Sequence, residues 1–180
     1  MARLDTLPVE QLSPEQKALH DKIRGNRAKL GGPFGVWLRT PALAAAVSSV
    51  VEALRENGKL EKRLYELIVL TVARHWSAQY AFAVHQPIAR AAGFSDDTIE
   101  ALRAGRKPAF AKSDEALVYD AVTELLAGKV LSAPTYERLL EQFGLDTTIE
   151  LISIAGLYGM IATVLNGFDV PTPNGEPPFG

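Results

Sequence analysis

From Leu64 to Ala73 the chain reads LYELIVLTVA, an apolar stretch whose one charge is Glu66. From Trp76 to Ala89 it reads WSAQYAFAVHQPIA, in which His85 is the one group that titrates near neutral pH. Segments this apolar must be buried on most sides, and two in succession predict an antiparallel helical hairpin at the centre of a core. Glu66 and His85 lie nine to ten positions from the joint at His75 and Trp76. At about 1.5 Å of rise per residue, both sit roughly 14 Å from the turn and at the same level. An isolated buried carboxylate is expensive, and an adjacent imidazole removes the penalty. The Glu66–His85 pair is therefore the expected seat of any chemistry.

Each residue also has a plainer reading. Glu66 could pair on a helix surface with Lys62 or Arg63, which contributes a few tenths of a kcal/mol. The apolar run from Leu67 onward leaves no polar stripe for such a surface. His85 could be a satisfied core histidine. Pro87 comes two residues later and cannot donate to the carbonyl of Ala83, which predicts a kink. Ala78 and Ala81, seven and four residues before His85, predict open volume beside the imidazole.

The rest of the chain punctuates itself as helices. Ser13-Pro14-Glu15-Gln16 reads as a capping box opening a helix toward Arg24, broken at Gly25 and at Leu30-Gly31-Gly32-Pro33. Thr40-Pro41 starts a helix that ends near Asn57-Gly58. Ser95 caps one ending near Gly105, Ser113 opens one to about Ala127, and Ser132 with Pro134 starts one that Gly144 ends. Thr147-Thr148-Ile149-Glu150 reads as a second capping box for a long apolar helix to Asn166. No run of period-two alternation appears, so the fold class is all-α. One domain over 1–180 is expected, with extended arms at 1–12 and 170–180. The latter carries four prolines and either frays or crosses to a neighbouring subunit.

Net charge is −2, with acids and bases interleaved, so no footprint for nucleic acid is visible. The absence of cysteine excludes disulfides, thiolate metal sites and catalytic thiols. With three histidines and no HxxxH or HExxH spacing, no metal and no other cofactor is expected. The uncharged run Leu151 to Phe168 is near the minimum for a membrane span, but Ser153, Gly156, Gly159, Thr163 and Asn166 interrupt it, so a buried core helix is expected. No signal-type segment opens the chain, and a soluble, cytoplasmic protein is expected.

Tyr80 and Tyr158, with Phe82 and Asn166, are candidates for a pocket wall, although helical aromatics are usually core. His75 is placed to cap the helix that carries Glu66, and His20 is expected to be exposed. Lys29 to Phe34 is glycine-rich but lacks a phosphate-loop pattern and reads as a turn. Gly156 and Gly159 are expected to permit close helix packing.

The stretches Arg63-Leu64-Tyr65-Glu66-Leu67, Val72-Ala73-Arg74-His75, Tyr80 to His85, Ala89-Arg90-Ala91-Ala92-Gly93-Phe94-Ser95 and Ile99-Glu100-Ala101-Leu102 resemble the carboxymuconolactone decarboxylase family. That family includes the alkylhydroperoxidase D-like proteins. Gly32-Pro33-Phe34, Leu157-Tyr158-Gly159 and Leu165-Asn166-Gly167-Phe168 extend the likeness over almost the whole chain. The resemblance implies a helical bundle around a helical hairpin, a Glu66–His85 proton relay, substrate contacts at Ala78, Tyr80, Ala81 and Tyr158, and a homo-oligomer of two, three or six chains. Two departures stand out. The peroxidase branch has cysteines where this chain has Ala78 and Ala81, and many cysteine-free relatives carry a glutamate where it has Ala81.

The expected function is cofactor-free acid–base chemistry, of decarboxylase, lyase or isomerase type, on a small carboxylated lactone or carbonyl compound. His85 would move the proton and Glu66 would fix its tautomer, with Arg74 or Arg90 available for a substrate carboxylate. A thiol peroxidase is disfavoured without cysteine, and a non-catalytic binding protein on the same fold is the remaining alternative.

Overall fold

The computed structural model describes residues 2–5, 7–24, 30–128 and 130–179. The expected break at Gly25, and Lys29 of the glycine-rich segment, lie outside the described residues. Among the described residues a single 3-10 turn, Val9–Gln11, is followed by eight α-helical elements: α1 Pro14–Arg24, α2 Pro33–Trp37, α3 Pro41–Val51, α4 Lys62–His75, α5 Gln79–Ala91, α6 Asp96–Arg103, α7 Ser113–Leu126 and α8 Ala133–Gly167. No strand is present among the described residues. The all-α expectation holds.

Helix α4 is the spine. All ten residues from Leu64 to Ala73 are buried, and α5, α7 and α8 pack around them. A helix apolar all round has no solvent face to present, so it becomes the element on which the others are layered. α5 folds back antiparallel across a tight turn, in which Ser77 takes φ 50° and the Ala78 N–H donates to Ala73 O at 2.7 Å. The backbone stays helical through Pro87.

The start of α4 is fastened twice. Arg63 donates to Glu115 Oε1 at 2.7 Å and to Asp114 Oδ2 at 2.8 Å, tying α4 to the first turn of α7. Glu150 Oε2 accepts from the backbone N–H groups of Lys59 and Leu60, at 2.7 and 3.1 Å. Glu150 therefore serves the neighbouring chain segment, and the expected capping box at Thr147 is not its role. α8 is two helical segments meeting at Gly144, whose non-helical backbone (φ 72°, ψ 173°) ends the first as the sequence predicts, and Thr148 Oγ1 donates to Gly144 O at 2.8 Å across the junction. By length and apolarity α8 could cross a membrane, but half of its most apolar window is buried within the fold. A Cβ at Gly159 would make an ordinary 3.8 Å contact with Trp76 Nε1 and one at Gly156 would meet nothing, so the expected close packing is found at neither glycine.

Helix α1 opens as its sequence predicts, with Gln16 N–H donating to Ser13 Oγ at 3.2 Å and Ser13 N–H to Gln16 Oε1 at 2.9 Å. α3 ends in a π-helical turn, Glu52–Glu56, with Asn57 N–H donating to Glu52 O at 3.1 Å. The C-terminal tail lies on its own chain. Phe179 is buried against Phe82, with ring centroids 4.9 Å apart. Its N–H donates to Gln79 Oε1 at 2.9 Å, and Arg103 donates to Pro178 O at 2.9 Å. An arm expected to fray or cross over is instead clasped locally, because its last aromatic side chain fills a gap over α5.

Candidate functional site

Glu66 is 1% exposed within the buried run of α4. α5 supplies its partner: His85 Nδ1 donates to Glu66 Oε2 at 2.7 Å, and the two residues are 6% and 1% exposed. The surface pairing of Glu66 with Arg63 is excluded by Arg63's engagement with α7. Holding the proton on Nδ1 leaves Nε2 as the free lone pair of the neutral ring.

Nε2 faces α8. The Tyr158 hydroxyl lies 3.3 Å from it, and the two rings meet edge to face at 5.3 Å. Tyr65, one residue before Glu66 on α4, donates its hydroxyl to Tyr158 at 3.3 Å. The result is an unbroken chain of polar groups, Glu66–His85–Tyr158–Tyr65, inside an apolar bundle. Burial pushes the Tyr158 phenol well above its ordinary value, and burial likewise raises Tyr65 and Tyr80. At neutral pH these hydroxyls are donors, not bases.

His85 and Tyr158 open onto a cavity of about 320 Å³ whose walls are mostly apolar. Tyr80 and Ala81 line it, as expected from sequence. Ala78 does not: it is fully buried at the turn before α5 with φ −79° and ψ 84°, so the helical face that the spacing assumed has not yet begun. Phe82 and Asn166 also lie elsewhere. Phe82 is core, and Asn166 donates to Trp76 O at 2.7 Å, tying α8 to the hairpin turn.

The charged group on the cavity wall is Arg55, from the π-helical turn. Neither arginine expected from sequence lines the cavity. Arg74 donates to Arg103 O at 2.7 Å and covers the Phe179 ring, and Arg90 pairs with Asp96 at 2.7 Å. The glycine-rich segment read as a turn forms another wall. Gly32 takes φ 61°, and a Cβ there would lie 2.5 Å from Tyr80 Cε1. Its sequence signal was available, since paired glycines permit close approach, but the approaching ring comes from another helix.

A second cavity of about 250 Å³ is lined by Glu66, Tyr65, Arg55, Glu56, Leu60 and Lys62, with Arg55 common to both cavities. Glu66 and Tyr65 border this cavity, whereas His85 and Tyr158 border the first. His75 is exposed at the end of α4, where a cap would stand. His20, expected exposed, is buried, with Nδ1 3.0 Å from Asp21 Oδ1. Among the described residues no group of three or more His, Asp or Glu side chains is placed to hold a metal ion.

The model of the carboxymuconolactone decarboxylase family matches residues 41–124, a segment that contains Glu66 and His85 but ends before Tyr158. No curated protein sequence matches the chain. Among solved structures, the chain is similar to an alkylhydroperoxidase AhpD core, an uncharacterized peroxidase-related protein from Ralstonia eutropha JMP134, with TM-score 0.80, 16% identity, and coverage of 98% of this chain and 97% of that one. A second uncharacterized peroxidase-related protein, from Silicibacter sp. TM1040, gives TM-score 0.76 at 15% identity over 94% and 90% of the two chains. The debrominase Bmp8, in a variant solved in complex with 2,3,4-tribromopyrrole, gives TM-score 0.72 at 14% identity over 90% and 87%. At these identities the likeness is one of fold.

Proposed function

We propose that this cysteine-free chain, with its carboxymuconolactone decarboxylase family segment on an alkylhydroperoxidase D-like fold, is a cofactor-free acid–base enzyme acting on a small carbonyl compound or lactone that bears a carboxylate. The observation that carries the reading is the 2.7 Å bond from His85 Nδ1 to a fully buried Glu66, which leaves Nε2 as a base at the wall of a small cavity. Nε2 takes a proton from the substrate, the electron pair moves onto the carbonyl oxygen, and Glu66 stabilises the imidazolium. The Tyr158 hydroxyl, kept protonated by burial, donates to the developing oxyanion. For decarboxylation, the bond to the carboxyl carbon breaks instead. Its electron pair moves onto the carbonyl and CO2 departs; a proton from water, carried to carbon through His85 Nε2, completes the product and leaves the ring neutral again. Arg55 is the charged side chain on that wall and the one suited to a substrate carboxylate.

The cavity volume supports a guest of one small ring, and the ligand held by the debrominase of the same fold is of that size. A thiol peroxidase would need a sulfur nucleophile, and the chain has none. Self-association belongs to the same reading: Leu43 and Val50 on α3, with Leu145, Ile149 and Met160 on α8, are exposed apolar side chains suited to a second copy. A cytoplasmic location is part of the proposal as well. The test is a panel of carboxylated lactones and keto acids monitored for CO2 release and for isomerisation. Turnover that falls about 10²- to 10⁴-fold in Glu66→Gln and His85→Gln supports the reading; turnover unchanged in both overturns it.

A further inference from the structure

Glu66 holds the Nδ1 proton, so a proton taken up at Nε2 has to leave from Nε2 before the base is restored. When the first cavity is occupied, substrate or product blocks the direct way out. The Tyr158 hydroxyl stands 3.3 Å from Nε2, the Tyr65 hydroxyl 3.3 Å beyond it, and Tyr65 borders the second cavity but not the first. We propose that Tyr158 and Tyr65 form a proton wire from His85 Nε2 through the bundle wall to a water-exchange port, the second cavity, whose mouth carries Lys62 and Glu56. This rests on the acid–base reading of His85 for its purpose, though not for its existence.

The transfer balances without a charged phenol. Nε2–H passes to the Tyr158 oxygen, the Tyr158 proton passes to the Tyr65 oxygen, and the Tyr65 proton passes to water in the second cavity. The hydroxyls are then left with Tyr65 donating to Tyr158 and Tyr158 donating to Nε2. The first of these is the donor direction found at rest. Both phenols sit above their ordinary values through burial, which favours hopping through neutral hydroxyls over a standing tyrosinate. Glu56 and Lys62 are exposed, so the mouth reaches bulk water. No buried side-chain nitrogen or oxygen among the described residues lacks a partner. Tyr65 acts here only through Tyr158 and His85, whereas Tyr158 is the hydroxyl that also faces the substrate.

The test needs no substrate. With 13Cζ-labelled tyrosine in an equal mixture of H2O and D2O, a slowly exchanging hydroxyl gives two resolved ring-carbon signals and a fast one gives their average. The Tyr158 hydroxyl should exchange at least about tenfold more slowly in Tyr65→Phe. It should do likewise in Lys62→Trp, which covers the mouth from an exposed position where folding is not at risk. Ala81→Phe, which closes the first cavity, should leave its exchange within about twofold. Slowing in Ala81→Phe with no slowing in the other two overturns the wire. Because the readout is independent of turnover, a wire that passes while the substrate panel fails leaves the port standing and removes only the reaction. The reverse outcome removes the port alone.

Discussion

The Glu66–His85 contact makes a quantitative prediction about stability that is separable from activity. His85→Leu leaves a carboxylate, 1% exposed, without its imidazole. Leaving a buried charge without its partner costs about 3–5 kcal/mol. Glu66 borders the second cavity, where water can take up part of the loss, so the expected cost is near 3 kcal/mol. Glu66→Leu leaves a neutral imidazole with an unpaired Nδ1–H, which costs about 1–3 kcal/mol. The double variant leaves nothing polar unpaired at that contact, and apolar replacement of a buried pair is often near neutral. The single variants are therefore not additive. A double-mutant cycle by urea unfolding at pH 7 should give a coupling energy of about 4–6 kcal/mol, the sum of the two single costs less a near-neutral double variant, with His85→Leu the less stable single variant. Additivity within about 0.5 kcal/mol would refute the contact as an energetic unit.

Other parts of the fold carry three further expected outcomes. Gly32→Ala forces a side chain into a backbone conformation with φ 61° and a Cβ 2.5 Å from Tyr80 Cε1; it should cost about 1–3 kcal/mol by urea unfolding, and wild-type stability would contradict the close approach. Burial raises the Asp114 carboxyl, but hydrogen bonds and charge from Arg63 outweigh it and hold the group below its ordinary value. A depressed folded value gives stability that is present above the unfolded pKa and lost as pH falls through the folded one, so the advantage of wild type over Arg63→Met, measured by urea unfolding, should shrink below about pH 4. Phe179→Ala removes a buried ring held by Phe82 and Arg74. It should destabilise by about 3 kcal/mol, lowering the melting temperature by roughly 6–12 °C in calorimetry, and no shift would show the tail undocked.

The central pair was legible because each member is the isolated ionisable group of its own apolar run, and helix rise alone sets their common level. Helix starts were legible from caps such as Ser13 and Ser95, whose hydroxyls accept the predicted N–H groups. The features that sequence missed depend on register or on distant contacts. Ala78 was placed on the His85 face by counting back two turns, but α5 begins after it. Arg55 was invisible because a π-helical turn adds a residue and rotates the next residues by about 100°, which no apolar spacing announces. Arg74 and Arg90 are closer to the pair in sequence, yet each is committed to a partner elsewhere. Gly31 and Gly32 carried a turn signal that hid their contact with Tyr80. Tyr65 stood inside the matched motif, but its bond to Tyr158 joins residues 93 positions apart.

The most direct measurement is hydrogen exchange at carbon. Small carboxylated lactones and keto acids, incubated with the protein in D2O and monitored by proton NMR, should lose the proton adjacent to the carbonyl faster with wild type than with buffer. His85→Gln should lower that rate at least about a hundredfold while remaining folded. Exchange at equal rates in wild type and His85→Gln would contradict an imidazole base at the cavity wall.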